Sequence, residues 1–161
     1  MNGDNHASKE TVRAQMRARL RALTLDDRTL RSRVICERVA ELPVWKSARV
    51  ATLFEPMNSE PHITTLIEEL RTRGSEIIII LPSAREHADI PITSPVDVVL
   101  VPGLAFTRDG GRLGRGDGFF DRFLAHRAPR AAKVGVCFNF QIVPSLPLES
   151  RDVKVGVVVS D

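Results

Sequence analysis

At 161 residues, with 43% hydrophobic residues and a mean hydropathy of −0.07, the chain has the size and balance of one globular domain, residues 1–161. No apolar run approaches a membrane span, since Ile77–Leu81 is far too short, and the polar opening Met-Asn-Gly-Asp-Asn-His has no signal-peptide core, so a cytoplasmic protein is expected. The net charge of +3 is mildly basic, and the two cysteines have neither metal nor redox spacing.

Residues 1–7 are expected to be disordered. Ser8 can cap a helix running to about Leu23, with Val12, Met16, Leu20 and Leu23 on one stripe. Thr24, with Asp27 three residues on, caps a second helix whose apolar positions are Leu30, Val34, Ile35, Val39 and Leu42, and Pro43 ends it. Arginines crowd both helices, from Arg17, Arg19 and Arg21 to Arg28, Arg31, Arg33 and Arg38, and read as a solvated face. A nucleic-acid surface would want aromatic platforms, and the chain has no tyrosine and one tryptophan. Lys9 and Arg13 stand one turn apart and are placed to reach a polyphosphate.

Val50–Phe54 is a strand. The turn after it, Glu55-Pro-Met-Asn-Ser-Glu60, offers two carboxylates at a strand's C-terminal end, where open α/β sheets bind ligands. Ile63, Leu66, Ile67 and Leu70 follow helical spacing, and Gly74 closes that helix. Ile77–Leu81 has the continuous apolar character of a strand buried on both faces, which completes a βαβ unit. Val96–Val101 is a further strand. It leads through Pro102-Gly103 and a glycine-rich loop to a helix over Phe120–His126, and Val134–Phe138 and Val153–Val159 supply the last strands. Five strands and about four helices predict an α/β three-layer sandwich with a mainly parallel sheet. Cys36 and Cys137 read as buried reduced thiols, and His6, His62, His87 and His126 as surface or structural residues.

The glycine-rich loop, residues 110–121, reads Gly-Gly-Arg-Leu-Gly-Arg-Gly-Asp-Gly-Phe-Phe-Asp. Gly114, Gly116 and Gly118 let backbone N–H groups approach an anion, and Arg112 and Arg115 add donors suited to phosphate oxygens. Asp121 can hold magnesium, which favours one or two carboxylates plus phosphate oxygens. A plain turn is the competing account, and the stretch is neither a Walker loop nor a dinucleotide fingerprint. A turn alone does not call for two arginines.

With its flanks, this stretch resembles the 5-formyltetrahydrofolate cyclo-ligase family, also called methenyltetrahydrofolate synthetase. The matching segments are Asp97–Phe106, Gly111–Asp121, Gly135-Val-Cys-Phe138, Gln141-Ile-Val143, Leu146-Pro147 and Asp152-Val-Lys-Val155, with Lys9-x-x-x-Arg13 in the opening helix. The resemblance implies the architecture grouped with NagB, RpiA (ribose-5-phosphate isomerase) and CoA transferases. It also implies conversion of a reduced formylfolate, 5-formyltetrahydrofolate, to 5,10-methenyltetrahydrofolate, with ATP as co-substrate and Mg2+. Carried over residue by residue, Lys9, Arg13, Arg112, Leu113, Gly114, Arg115, Gly116, Asp117, Gly118, Phe119 and Phe120 would contact ATP. Asp121 and Asp152 would bind magnesium. Glu55 and Glu60, with Arg115, Gly116, Asp117, Gly118 and Phe119, would face the folate, and Arg115 and Asp121 would be catalytic. The chain departs from the family in having only Ser83–Val96 where a longer segment is usual, Phe119-Phe120 for a tyrosine pair, Asp117 for glycine or lysine, and Gly156 for an acid. A nucleotide-binding paralogue without folate turnover remains the alternative, while a sugar-phosphate isomerase lacks a candidate base.

Overall fold

The structure, a computed structural model, describes residues 8–84 and 90–161 in full. The expectation for residues 1–7, and the readings of His6 and His87, lie outside those residues. The helices are α1 (Asn2–Ala22), α2 (Leu25–Ala40), α3 (Pro43–Lys46), α4 (Thr64–Arg73) and α5 (Phe119–His126). The strands are β1 (Val50–Phe54), β2 (Glu76–Ile80), β3 (Val98–Val101), β4 (Ala105–Phe106), β5 (Arg112–Leu113), β6 (Ala132–Val136) and β7 (Val157–Val159).

Local chemistry explains the helix boundaries. Thr24 Oγ1 accepts the Asp27 N–H at 3.1 Å, and Asp26 and Asp27 place negative charge at the positive end of α2. Gly74, at φ 77°, closes α4 in the left-handed region that side chains avoid. Met16 and Leu20 of α1 and Ile35 and Val39 of α2 are buried as their spacing requires. Leu30 is not, being 57% exposed, because the inner face of α2 is instead Arg28, Ser32, Ile35, Cys36 and Val39.

Five strands form one sheet in the order β2-β1-β3-β6-β7, with every neighbouring pair parallel. Its register pairs Ala51 with Val98, Leu100 with Val134 and Gly135 with Val158. Val98–Val101 and Ala51–Phe54 are buried along both faces, so helices and loops cover the sheet on both sides in three layers. The chain builds outward from β1 in one direction and from β3 in the other. The strand order therefore reverses between β1 and β3, leaving a crevice at their C-terminal ends.

Three features differ from the sequence expectation. The strand expected over Ile77–Leu81 with both faces buried is the edge strand β2, so Ile77–Ile79 are only half-buried and Leu81, beyond its end, is 46% exposed. A small antiparallel hairpin, β4–β5, pairs Phe106 with Arg112 and Ala105 with Leu113, and its two-residue strands are too short to show a period. The expected strand over Val153–Val159 joins the sheet only from the Gly156 N–H, which bonds the Lys133 carbonyl of β6. Its earlier amides go elsewhere, the Val153 N–H to Asp121 and the Val155 N–H to the Gly110 carbonyl.

Candidate active site

A cleft of about 600 Å³ opens at the C-terminal ends of β1 and β3. Glu60 comes to it from the turn after β1, and Pro102 and Gly103 from the end of β3. The loop 112–118, the first turn of α5, residues 149–153, and Lys9 and Arg13 of α1 complete it.

The loop is built around Arg112, which is 5% exposed. Its Nη2 donates to Asp121 Oδ1 at 3.0 Å, and its guanidinium lies 5.8 Å from the Phe120 ring centre. Burial pulls the Arg112 pKa down from its ordinary value while Asp121 opposes that pull. Arg112 Nε is buried without a hydrogen-bond partner. Gly116 (φ 117°) and Gly118 (φ 68°) occupy the left-handed region, which turns the chain sharply into α5. A Cβ on Gly116 would also come within 3.6 Å of the Arg13 guanidinium carbon, so the loop and α1 are closely apposed. Arg13 Nε donates to the Gly114 carbonyl at 3.0 Å, and Arg17 Nη2 to the Arg115 carbonyl at 3.3 Å.

The acids hold this frame together. Asp121 Oδ1 also accepts the Val153 N–H at 2.9 Å. Asp152 Oδ2 accepts from Lys9 Nζ at 2.8 Å and from the Glu149 N–H at 2.7 Å, and Glu149 Oε1 lies 3.5 Å from Lys9. Burial pushes the Asp152 pKa up, but Lys9, the Glu149 N–H and Arg112 outweigh it and leave the carboxyl below its ordinary value. Asp117, which precedes the N-cap residue Gly118, accepts the Phe119 N–H of α5 through Oδ1 at 2.9 Å, while its carbonyl accepts from Arg122 at 2.7 Å. Among the described residues no three His, Cys, Asp or Glu side chains gather to hold a metal.

At the other end, Arg115 Nη2 donates to Ser59 Oγ at 2.6 Å and approaches Glu60 to 3.7 Å. Glu60 is 4% exposed, and its Oε2 accepts the Met57 N–H at 2.9 Å. Glu55, expected beside it, is exposed at the strand end and does not line the cleft. Its backbone N–H bonds Ile80, which continues the β1–β2 ladder and carries the side chain away.

The structure thus brings together Lys9, Arg13, the whole 112–121 stretch, Glu60 and Asp152, and leaves Glu55 outside. Several arginines read as a solvated face prove to be engaged with the protein. Arg19 sits 4.8 Å over the Phe140 ring, Arg31 pairs with Asp161 at 3.1 Å, and Arg38 donates to the Ser160 carbonyl at 2.7 Å. Arg28 is 8% exposed and donates to the Met57 and Glu60 carbonyls, both at 2.7 Å. The signal that would have revealed it is the polar spacing Arg28, Ser32, Cys36 on an otherwise apolar helix face. Arg17, taken as part of the same solvated face, braces the Arg115 carbonyl, and Ser59 and Glu149 carried no signal in the sequence.

A parallel α/β sheet with an arginine-rich, glycine-lined cleft at its switch point defines an anion-binding α/β protein of the kind that takes phosphorylated ligands. The chain belongs to the 5-formyltetrahydrofolate cyclo-ligase family, whose sequence model matches residues 5–94 and 80–161. It is 25% identical to the 5-formyltetrahydrofolate cyclo-ligase of Mus musculus, over 96% of this chain and 94% of that protein. It is 30% identical to the enzyme of that name from Mycolicibacterium smegmatis, over 71% and 74% of the two chains. The solved 5,10-methenyltetrahydrofolate synthetase of Mycoplasma pneumoniae superposes with a TM-score of 0.79 at 24% identity, covering 95% of this chain and 98% of that one. The corresponding Aquifex aeolicus structure gives 0.76 at 27% identity, covering 94% and 88%.

Proposed function

We propose that this protein converts 5-formyltetrahydrofolate to 5,10-methenyltetrahydrofolate, using ATP and releasing ADP and phosphate. The observation that carries the reading is the Arg112–Asp121 pair at 3.0 Å, set in a glycine loop that lines the cleft, that Arg13 braces and that Lys9 faces. In the reaction the formyl oxygen attacks the terminal phosphorus and ADP leaves. The folate N10 then attacks the activated carbon, loses its proton, and the ring closes as that oxygen departs with phosphate. The protein's task is to position the reactants and to stabilise negative charge, and the cleft's arginines and backbone N–H groups suit that task.

Lys9, Arg13, Arg112 and the segment Leu113–Phe120 would hold the triphosphate. Arg115, next to Glu60, would face the transferring group, and Glu60 would accept N–H groups of the folate ring. Asp121 and Asp152 fit a magnesium ion. Each commits one oxygen to the 149–153 segment, and two carboxylates plus phosphate oxygens match the ion's preference. Bound there, the ion would neutralise charge on the phosphate oxygens. We further assign the chain to the NagB, RpiA and CoA transferase-like architecture, as a single domain working in the cytoplasm.

The test follows the near-ultraviolet absorbance of the methenyl product with ATP, magnesium and 5-formyltetrahydrofolate. The wild type should turn over, and Arg115→Ala should lose on the order of 10²-fold in kcat. No product from the wild type with all three present would refute the proposal.

A further inference from the structure

We infer that the inner face of α2 is a positioning device for the substrate end of the cleft, with Arg28 as its principal residue, an inference that rests on the function proposed above. The loop between β1 and α4 carries Glu60 to the cleft and Ser59 to Arg115, which lines it, and its irregular backbone must find partners for its polar groups. Those partners come from one helix face. Arg28 Nη2 and Nε donate to the Met57 and Glu60 carbonyls at 2.7 Å each. Ser32 Oγ accepts the His62 N–H at 2.9 Å, and Cys36 Sγ donates to the His62 carbonyl at 3.2 Å. The positions are four residues apart, so a single row of side chains grips the loop from Met57 to His62.

Arg28 does not line the cleft, yet its bonds decide where the cleft's acid points. The Glu60 carboxylate is fixed by the N–H of Met57, whose carbonyl Arg28 holds, and the Glu60 carbonyl is the other atom in its fork. Ser59, between them, accepts from Arg115. Freeing the fork therefore lets Glu60 and the Arg115 anchor shift together, while Lys9, Arg13 and Arg112 keep their own supports. A buried arginine is costly, and its planar fork can serve two carbonyls at once where a lysine serves one direction.

The experiment compares wild type, Arg28→Met, Arg28→Lys and Ser32→Ala in steady-state kinetics and in amide hydrogen exchange without ligand. Arg28→Met should raise KM for 5-formyltetrahydrofolate on the order of tenfold while KM for ATP moves less than about twofold. Arg28→Lys should recover part of the loss, and exchange in residues 55–62 should quicken without change in the sheet. Equal rises in both KM values, or a lowered melting temperature with the folate KM intact, would overturn it. If the wild type shows no turnover, the parent proposal fails, and exchange alone decides this one: unchanged protection of residues 55–62 in Arg28→Met sinks it, faster exchange upholds it. Should Arg28→Met not fold, Arg28→Lys and Ser32→Ala are read by the same criteria.

Discussion

Asp117 shows how one carboxylate can serve the backbone and work against a ligand. Its bond to the Phe119 N–H satisfies a first-turn amide of α5, yet its charge stands beside the guanidinium groups that would receive phosphate. Asp117→Asn keeps an acceptor for that amide and removes the charge, so ATP should bind on the order of two- to tenfold more tightly by calorimetry. Weaker binding would show the carboxylate to be a ligand in its own right. His62 offers a second residue-level measurement. Burial, and then the nearby Arg28, hold its pKa below the ordinary 6.5. The unfolded chain therefore takes up that proton first, and stability present at neutral pH is lost as pH falls through that ordinary value. Urea melts at about pH 7.5 and about pH 5.5 should show this loss, and His62→Gln should reduce it. Most cleft residues were legible because they are consecutive in one motif or one helical turn apart. Arg28 was missed, since a single basic residue on an amphipathic helix looks the same pointing in or out, and only its row with Ser32 and Cys36 marks it as inward. Nor does sequence separate Glu55 from Glu60; only the fold of their turn sends one inward.

Elements with long apolar runs or clear caps were read closely, and short ones were not. The cap at Thr24 predicts its own test. Thr24→Ala should cost about 1 kcal/mol and lower the melting temperature by about 2–4 °C, with both KM values unchanged. A shift in KM would mean that α2 moves as a body and carries the Met57–His62 loop with it. The hairpin β4–β5 escaped sequence reading because two residues cannot express alternation. The strand ending in β7 was read as too long for a related reason. Val153 and Val155 have the composition of a ladder, but their N–H groups are claimed by Asp121 and Gly110. Composition reports burial, whereas pairing depends on which acceptor lies nearest, and here the site competes with the sheet.

At the scale of the molecule, the order β2-β1-β3-β6-β7 puts the crevice where residues distant in sequence converge. That convergence was only partly visible beforehand, because strand order is a tertiary fact. Among the described residues, no helix is long and apolar enough to cross a membrane. The thiols report on the integrity of the whole core. Burial pushes Cys137 up to about 12 and raises Cys36, so neither forms thiolate readily. Iodoacetamide at pH about 8 should label neither cysteine in the native protein and both in urea. Rapid native labelling would mean that the core opens locally. The Lys9–Asp152 ion pair has a consequence for biosynthesis. Residue 9 leaves the ribosome long before residue 152, so this contact of the first helix waits for 143 further residues to be made. A chain arrested after β6 would already hold α1 through Arg13 and Arg17 but would lack Asp152, so nascent molecules should stay catalytically silent until residues 149–153 have emerged.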